Sequence, residues 1–168
     1  MRQNRQSLRL AHRVLHRKND FLNEGFCGVS MKIKRIAHLG VAVNNLDDAL
    51  KLFTNGLPLA VTHTEEYQGM KIGFIPVGES SIELLEDVSG ASAIRKFLDK
   101  NGEGIHHIAF EVDDINEALQ ELKAKGVRLI DEAPRSGAHG MSIAFMHPKA
   151  THGILMELCQ PSSKDDHK

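Results

Sequence analysis

No stretch of this sequence approaches the roughly 18 to 20 apolar residues that a membrane-spanning helix needs, so no span is expected. Cysteine is scarce. Cys27 and Cys159 are the only two, with neither CxxC nor disulfide-framework spacing, which favours a reducing compartment. An excess of either charge is missing as well. A formal net charge of -1 gives no electrostatic reason to expect nucleic acid or an anionic membrane as partner. Tryptophan is absent, yet 41% apolar and 26% charged residues over 168 positions are ordinary for a soluble globular chain. The length suits one compact domain, or one domain of two similar halves, with a real core.

The N-terminus differs from the rest. "MRQNRQSLRLAHRVLHRKND" carries Arg2, Arg5, Arg9, Arg13, Arg17 and Lys18, with no acid before Asp20. Leu8, Leu10, Val14 and Leu15 are too few for a secretory h-region. Such a segment reads as an organellar transit peptide, a solvated tail, or sequence upstream of a start at Met31, which opens the well-patterned "MKIKRIAHLGVAV". Residues 1–30 are therefore expected to stay out of the fold, residues 31–161 to form one domain, and residues 162–168 a polar tail. The expected location is the cytoplasm, or the mitochondrial matrix if the extension is a transit peptide.

The most informative feature is an internal repeat. "IAHLGVAVNNLDDAL" (Ile36 to Leu50) aligns with "IHHIAFEVDDINEAL" (Ile105 to Leu119), matching His38 with His107 and Val43 with Val112. Both copies switch from period two to a helical period, which predicts a strand followed by a helix. Asn44/Asn45 and Asp113/Asp114 suit the N-caps. The helical stripes are Leu46, Ala49, Leu50, Phe53 and Ile115, Ala118, Leu119, Leu122, and the strand faces Leu39, Val41, Val43 and Ile108, Phe110, Val112 should pack on them. The opposite faces carry His38, Gly40, Ala42 and His107, Ala109, Glu111. Strict alternation puts His106 with the bulky residues, so it is read as structural.

Strand-like runs follow each helix, and the last of each half ends alike, "SIELLE" against "LMELCQ", superposing Glu83 on Glu157. A further helix near Ser92 to Lys100, with Ile94, Phe97 and Leu98 inward, links the halves. The expected fold is α+β, with paired βαβββ modules (about 33–87 and 103–160, linker helix about 91–100) forming a curled mixed sheet around a metal site. Two histidines and two glutamates, one of each per module, make a mixed N/O set suited to Zn, Co, Ni, Mn or Fe(II). The other histidines carry less signal: His63 in a polar loop, His12, His16 and His167 in the chain ends, and His139, His147 and His152 in or beside loops.

These segments resemble the vicinal oxygen chelate superfamily, which includes glyoxalase I, extradiol dioxygenases, fosfomycin-modifying enzymes and bleomycin-binding proteins. Within it, "GIHHIAFEVDDI" together with "SGAHGMSIAFMHPKATHGILMEL" closely resembles the methylmalonyl-CoA epimerase family. The resemblance spans roughly Ile33 to Gln160. It implies a divalent metal, Co2+ foremost with Zn2+, Ni2+ or Mn2+ as alternatives, held by His38, Glu83, His107 and Glu157; the Glu83 position is Gln in some relatives. It also implies a homodimer acting on a small acyl-CoA thioester, with (R)- and (S)-methylmalonyl-CoA interconverted by proton removal and return at C2 through an enolate. Glu157 is the candidate base. The second acid that some relatives carry after the "QG" turn is missing here, where the strand reads Lys71-Ile72-Gly73-Phe74, so the second base is unassigned among Glu65, Glu66 and Lys71.

Ser136, Gly137, His139 and Lys149 are candidate contacts to the substrate's carboxylate and thioester. No phosphate-cradling Gly-rich loop is present, so the CoA moiety is expected across the surface. Two alternatives stay open. The same His/Glu set suits glyoxalase I chemistry on a glutathione hemithioacetal, and the same scaffold serves non-catalytic small-molecule binders.

Overall fold

The computed structural model describes residues 31–162, so the expectations for residues 1–30 and for most of the polar tail lie outside the described residues. Eight strands form one mixed sheet, with β1 (Ile33–Val43), β2 (His63–Tyr67), β3 (Met70–Val77) and β4 (Ser80–Asp87) in the first half. The second half supplies β5 (Gly104–Val112), β6 (Arg135–Ser136), β7 (Met141–Met146) and β8 (Met156–Pro161). Helices α1 (Leu46–Lys51), α2 (Ala93–Asn101) and α3 (Ile115–Ala124) complete the chain, and α1 runs on into a π-turn over Leu52–Gly56. Among the described residues no helix is long and apolar enough to cross a membrane.

The strand order β2-β3-β4-β1-β5-β8-β7-β6 is two copies of one four-strand pattern placed head to head. Within each half the first strand pairs parallel with the last, β1 with β4 and β5 with β8. Across the middle, β1 and β5 pair antiparallel, so a local two-fold axis relates the modules. The expected βαβββ pair is present, with β6 reduced to two residues.

Local chemistry explains the helix starts. Asn45 accepts from Asp48 N at 2.8 Å, Asp114 from the backbone N–H groups of Asn116 and Glu117, and Ser92 from Arg95 N at 3.2 Å. Each side chain thus satisfies donors that the first helical turn leaves free. The apolar stripes pack as their spacing predicts. Val43 and Leu46 join Ile75 and Leu84, and Val112, Ile115, Ala118, Leu119 and Leu122 join Leu158. Among the described residues helix α2 has no counterpart in the second module. It lays Ile94 and Leu98 on Ala42, Ile72, Phe74 and Leu85 of the first.

Period two fails at three places in the pairing of the central strands, one at Lys34 and two beside the histidines. Ile36 pairs with Phe110 and His38 with Ala109, which makes Ala37 an extra residue on β1. Gly40 pairs with His107 and Val41 with Ile105, which makes His106 an extra residue on β5. Ala37 and His106 are repeat-equivalent, so the same bulge occurs twice, each time just before a histidine. A bulge redirects the side chains that follow it. His106 is therefore not on the bulky face as alternation requires; it turns toward His107 and lines the same cavity.

Leu119 is buried in the second-module core, whereas Leu57 is 44% exposed. Leu119→Ala is expected to cost about 2–5 kcal/mol and Leu57→Ala no more than about 0.5 kcal/mol, read from urea unfolding followed by circular dichroism.

Candidate metal centre

His38 and His107 meet at the seam between the modules. Their Nε2 atoms stand 3.0 Å apart and their rings are edge-on, with centroids 5.1 Å apart. Glu157, on β8, completes a convergent set, with Oε1 3.9 Å from His38 Nε2 and Oε2 3.5 Å from His107 Nε2. One donor atom from each of the three lies within 4.8 Å of the others. Glu83, on β4, approaches His38 from its other side, Oε1 to Nδ1 at 3.1 Å, and so stands outside that triad. The register makes the symmetry explicit: Glu83 is opposite Gly40, and Glu157 is opposite Ala109.

Two small residues give the imidazoles room. A Cβ at Gly40 would overlap the His107 ring, and Ala109, its repeat equivalent, is fully buried opposite His38. The remaining nitrogen of His107 is also engaged, since its Nδ1 is hydrogen-bonded to His106 Nδ1 at 2.9 Å. A ligand histidine is commonly held this way through the nitrogen that does not ligate. His106 is in turn edge-on to Phe97 of α2.

Burial sets the charge state of the group. It pushes His38 down to about 4 and His107 well below the usual imidazole value, with His38 and His106 adding to the effect. Burial raises Glu83 to about 7, helped by the charge of Glu65. It raises Glu157 to about 8, with the Glu83 charge reinforcing and Arg135 opposing. The two histidines are thus favoured in the neutral form that offers a lone pair, and the two carboxyls keep their protons to higher pH than a free glutamate does. That donor chemistry fits a divalent metal. Glu111, which shares the histidine face in the strand pattern, is instead paired with Arg35 at 2.6 Å and plays no part in the set.

A cavity of about 400 Å³ lies over this floor. Its walls are largely apolar, from Met70, Ile72, Ile94, Ile143, Phe145 and Leu155, with Tyr67, Gln68 and Arg135 as polar exceptions. Arg135 was not singled out by the sequence, although it directly precedes the "SGAHG" segment. Its guanidinium lies over the Phe145 ring at 5.3 Å, and Phe145 is edge-on to His107. Of the proposed contacts, Ser136 gives its carbonyl to the Tyr67 hydroxyl at 2.9 Å and Gly137 is buried against Ile143. His139 lines a neighbouring cavity. Lys149 is exposed in the turn after β7 and lines neither cavity.

Residues 37–145 match the model of the glyoxalase/bleomycin resistance protein/dioxygenase superfamily. The chain belongs to that superfamily. An uncharacterized protein of Bacillus subtilis, YqjC, is 42% identical to it over 80% of this chain and 97% of its own. The ethylmalonyl-CoA/methylmalonyl-CoA epimerase of Cereibacter sphaeroides is 39% identical over 76% and 98%. A solved Streptomyces coelicolor methylmalonyl-CoA epimerase variant in complex with 2-nitronate-propionyl-CoA superposes with a TM-score of 0.74 at 37% identity, over 79% of this chain and 97% of that one. As a member of the superfamily with such relatives, the chain is an enzyme of the isomerase class, of the epimerase type.

Two outcomes follow from this electrostatics. Metal uptake requires Glu83 and Glu157 to release protons held up to about 7 and about 8, so Co2+ affinity should rise with pH through that window with proton release; calorimetry in buffers of different ionisation enthalpy reads both, and pH-independent uptake refutes the assignment. In metal-free protein the raised carboxyls favour folding at low pH and lose that contribution as pH climbs through their folded values. The histidines act oppositely, but only below about 6.5. Thermal stability of the metal-free protein should therefore fall between about pH 6.5 and 8, and added Co2+ should reverse the fall.

Proposed function

We propose that the protein is a methylmalonyl-CoA epimerase whose divalent metal is held by His38, His107 and Glu157, with Glu83 as the fourth, repeat-equivalent donor. The observation that carries the reading is the convergence of two neutral imidazoles and two proton-holding carboxyls, one of each per module, beneath a largely apolar cavity. The epimerase relatives, at 36–39% identity, support the choice of substrate. Methylmalonyl-CoA bears an acidic proton between a thioester and a carboxylate, and its removal leaves an enolate. A bound divalent metal, Co2+ foremost, supplies Lewis-acid stabilisation of that charge.

The chain's own residues do the rest. The apolar walls keep water from the carbanion face and receive the methyl group and thioester. Arg135 offers a guanidinium on the cavity wall to the substrate carboxylate. Glu157, in its ionised form, is the candidate base that takes the C2 proton and returns it. Inversion needs a second carrier on the opposite face of C2. Apart from the residues assigned to the metal, His106, Tyr67 and Ser92 are hydroxyl or imidazole side chains on the cavity wall that could carry that proton, and Glu83 is a further carboxyl there. The CoA tail runs outward across the surface.

The assay is epimerisation of a single methylmalonyl-CoA epimer in D2O with added Co2+, monitored by deuterium at C2. Glu157→Gln should lower kcat by roughly 10²–10⁴-fold. Turnover of the methylglyoxal–glutathione hemithioacetal without C2 exchange in methylmalonyl-CoA would overturn the proposal in favour of the glyoxalase reaction. Relatives named lactoylglutathione lyase match at 27–30% identity.

Gly40→Ala tests the floor independently. Its Cβ would displace the His107 ring, so Co2+ uptake and epimerisation should both be lost while far-UV circular dichroism stays unchanged.

A further inference from the structure

A second cavity, of about 320 Å³, adjoins the His38 and Glu83 side of the centre, and His63 and His139 also line it. There His63 and His139 meet a third metal-competent side chain, Glu65, which lies beside the cavity without lining it. His63 and Glu65 come from β2 of the first module, and His139 comes from the turn between β6 and β7 of the second. One donor atom from each lies within 4.8 Å of the others. The reaction assigned above uses none of the three, and the sequence placed His63 in a loop, whereas it is the first residue of β2.

Three further observations bear on what the cluster holds. His63 Nε2 is, among the described residues, the only buried side-chain nitrogen or oxygen without a hydrogen-bond partner, while its Nδ1 lies 3.4 Å from Thr62 Oγ1. Buried polar atoms are rarely left so. The His63 ring is also fixed in place, stacked on Phe74 at 4.2 Å with planes 6° apart. His139, finally, sits in the left-handed region at φ 52, ψ 36, which is uncommon for a residue with a side chain and is held by its surroundings. What holds it is visible: its N–H donates to Glu65 Oε1 at 3.0 Å, and its ring lies 4.8 Å from that of His63. Two imidazoles and one carboxylate favour a cation over an anion. Arg35, the guanidinium on this cavity, is already engaged by Glu111 and the Glu79 carbonyl.

We propose that His63, Glu65 and His139 form a second divalent-metal site, distinct from the His38/His107/Glu157 centre, that ties β2 of one module to the β6–β7 turn of the other. Two histidines and one glutamate are a donor set that takes Zn2+ or Co2+ and leaves a coordination position open. His139 is exposed, so the site can load from solution. Its occupant cross-links the two modules beside the catalytic cavity.

The test is titration of EDTA-stripped full-length protein with Zn2+ and, separately, Co2+, followed by calorimetry and by the cobalt visible spectrum. Wild type should show two classes of site. His63→Ala and His139→Asn should each lose one class and keep the other, and His107→Ala should show the converse loss. Asn tolerates the left-handed backbone, so His139→Asn preserves the turn, and unchanged far-UV circular dichroism checks the fold of both variants. Glu65→Gln, which keeps the hydrogen bond to His139 N–H, should weaken that class without touching the other. A single class in wild type overturns the proposal. So does a second class that survives both histidine substitutions, because it then resides on other histidines of the chain. Loss of the class that depends on His107 alone bears on the catalytic centre and leaves this site standing.

Discussion

Where β1 and β5 pair antiparallel, two imidazoles from different modules face each other across 3.0 Å, and two carboxyls from the flanking strands close on them. Burying four ionisable groups together would cost several kcal/mol for each that stayed charged. Burial limits that cost by favouring the neutral form of each, lowering the histidines and raising the glutamates. Much else in the molecule serves this arrangement. Gly40 and Ala109 open space beside the rings, the helices back the opposite strand faces, and His106 engages the far nitrogen of His107. Such a set of nitrogen and oxygen donors has the chemistry that a divalent cation takes, and a cation bound there would compensate the charge of the carboxylates.

The modules are alike in topology but not in what fills them. Helix α2 packs on Ala42, Ile72, Phe74 and Leu85 of the first module, while Ala109, Cys159, Met141 and Ile143 of the second cluster with Ala37 of β1. The bulge residues diverge in the same sense: Ala37 on one side is small and buried, and His106 on the other is polar and turned to the cavity. Duplication thus supplied the paired donors, and divergence supplied a cavity with two different walls.

Much of this was legible in the residues. Aligning His38 with His107 and Glu83 with Glu157 anticipated the paired modules, and in the fold both glutamates fall opposite the small residue two positions beyond the histidine. The N-caps Asn45, Asp114 and Ser92 and the helical stripes were readable because they depend on local spacing. What stayed hidden depends on register between distant strands. A bulge exists only when one strand is set against its partner, so nothing in "GIHHIAF" alone reveals that His106 and His107 share a side. Neither Arg135 nor the meeting of His63, Glu65 and His139 follows a sequence period. The cluster joins β2 to the turn before β7 across 74 residues, as the bond from His139 N–H to Glu65 illustrates, and Arg135 reaches the cavity only through the pairing of β6 with β7.

The two-fold relation of the modules has a stereochemical consequence. A rotation about an axis lying in the plane of a flat carbon centre exchanges its two faces. A trigonal carbon placed along the seam of β1 and β5 would therefore see, above and below, corresponding elements of the two modules. Left and right hands of a molecule differ by which face of that flat carbon receives the hydrogen. A protein made from one module used twice turns a related element toward each face, and the divergence of its two walls decides how differently the two hands are received.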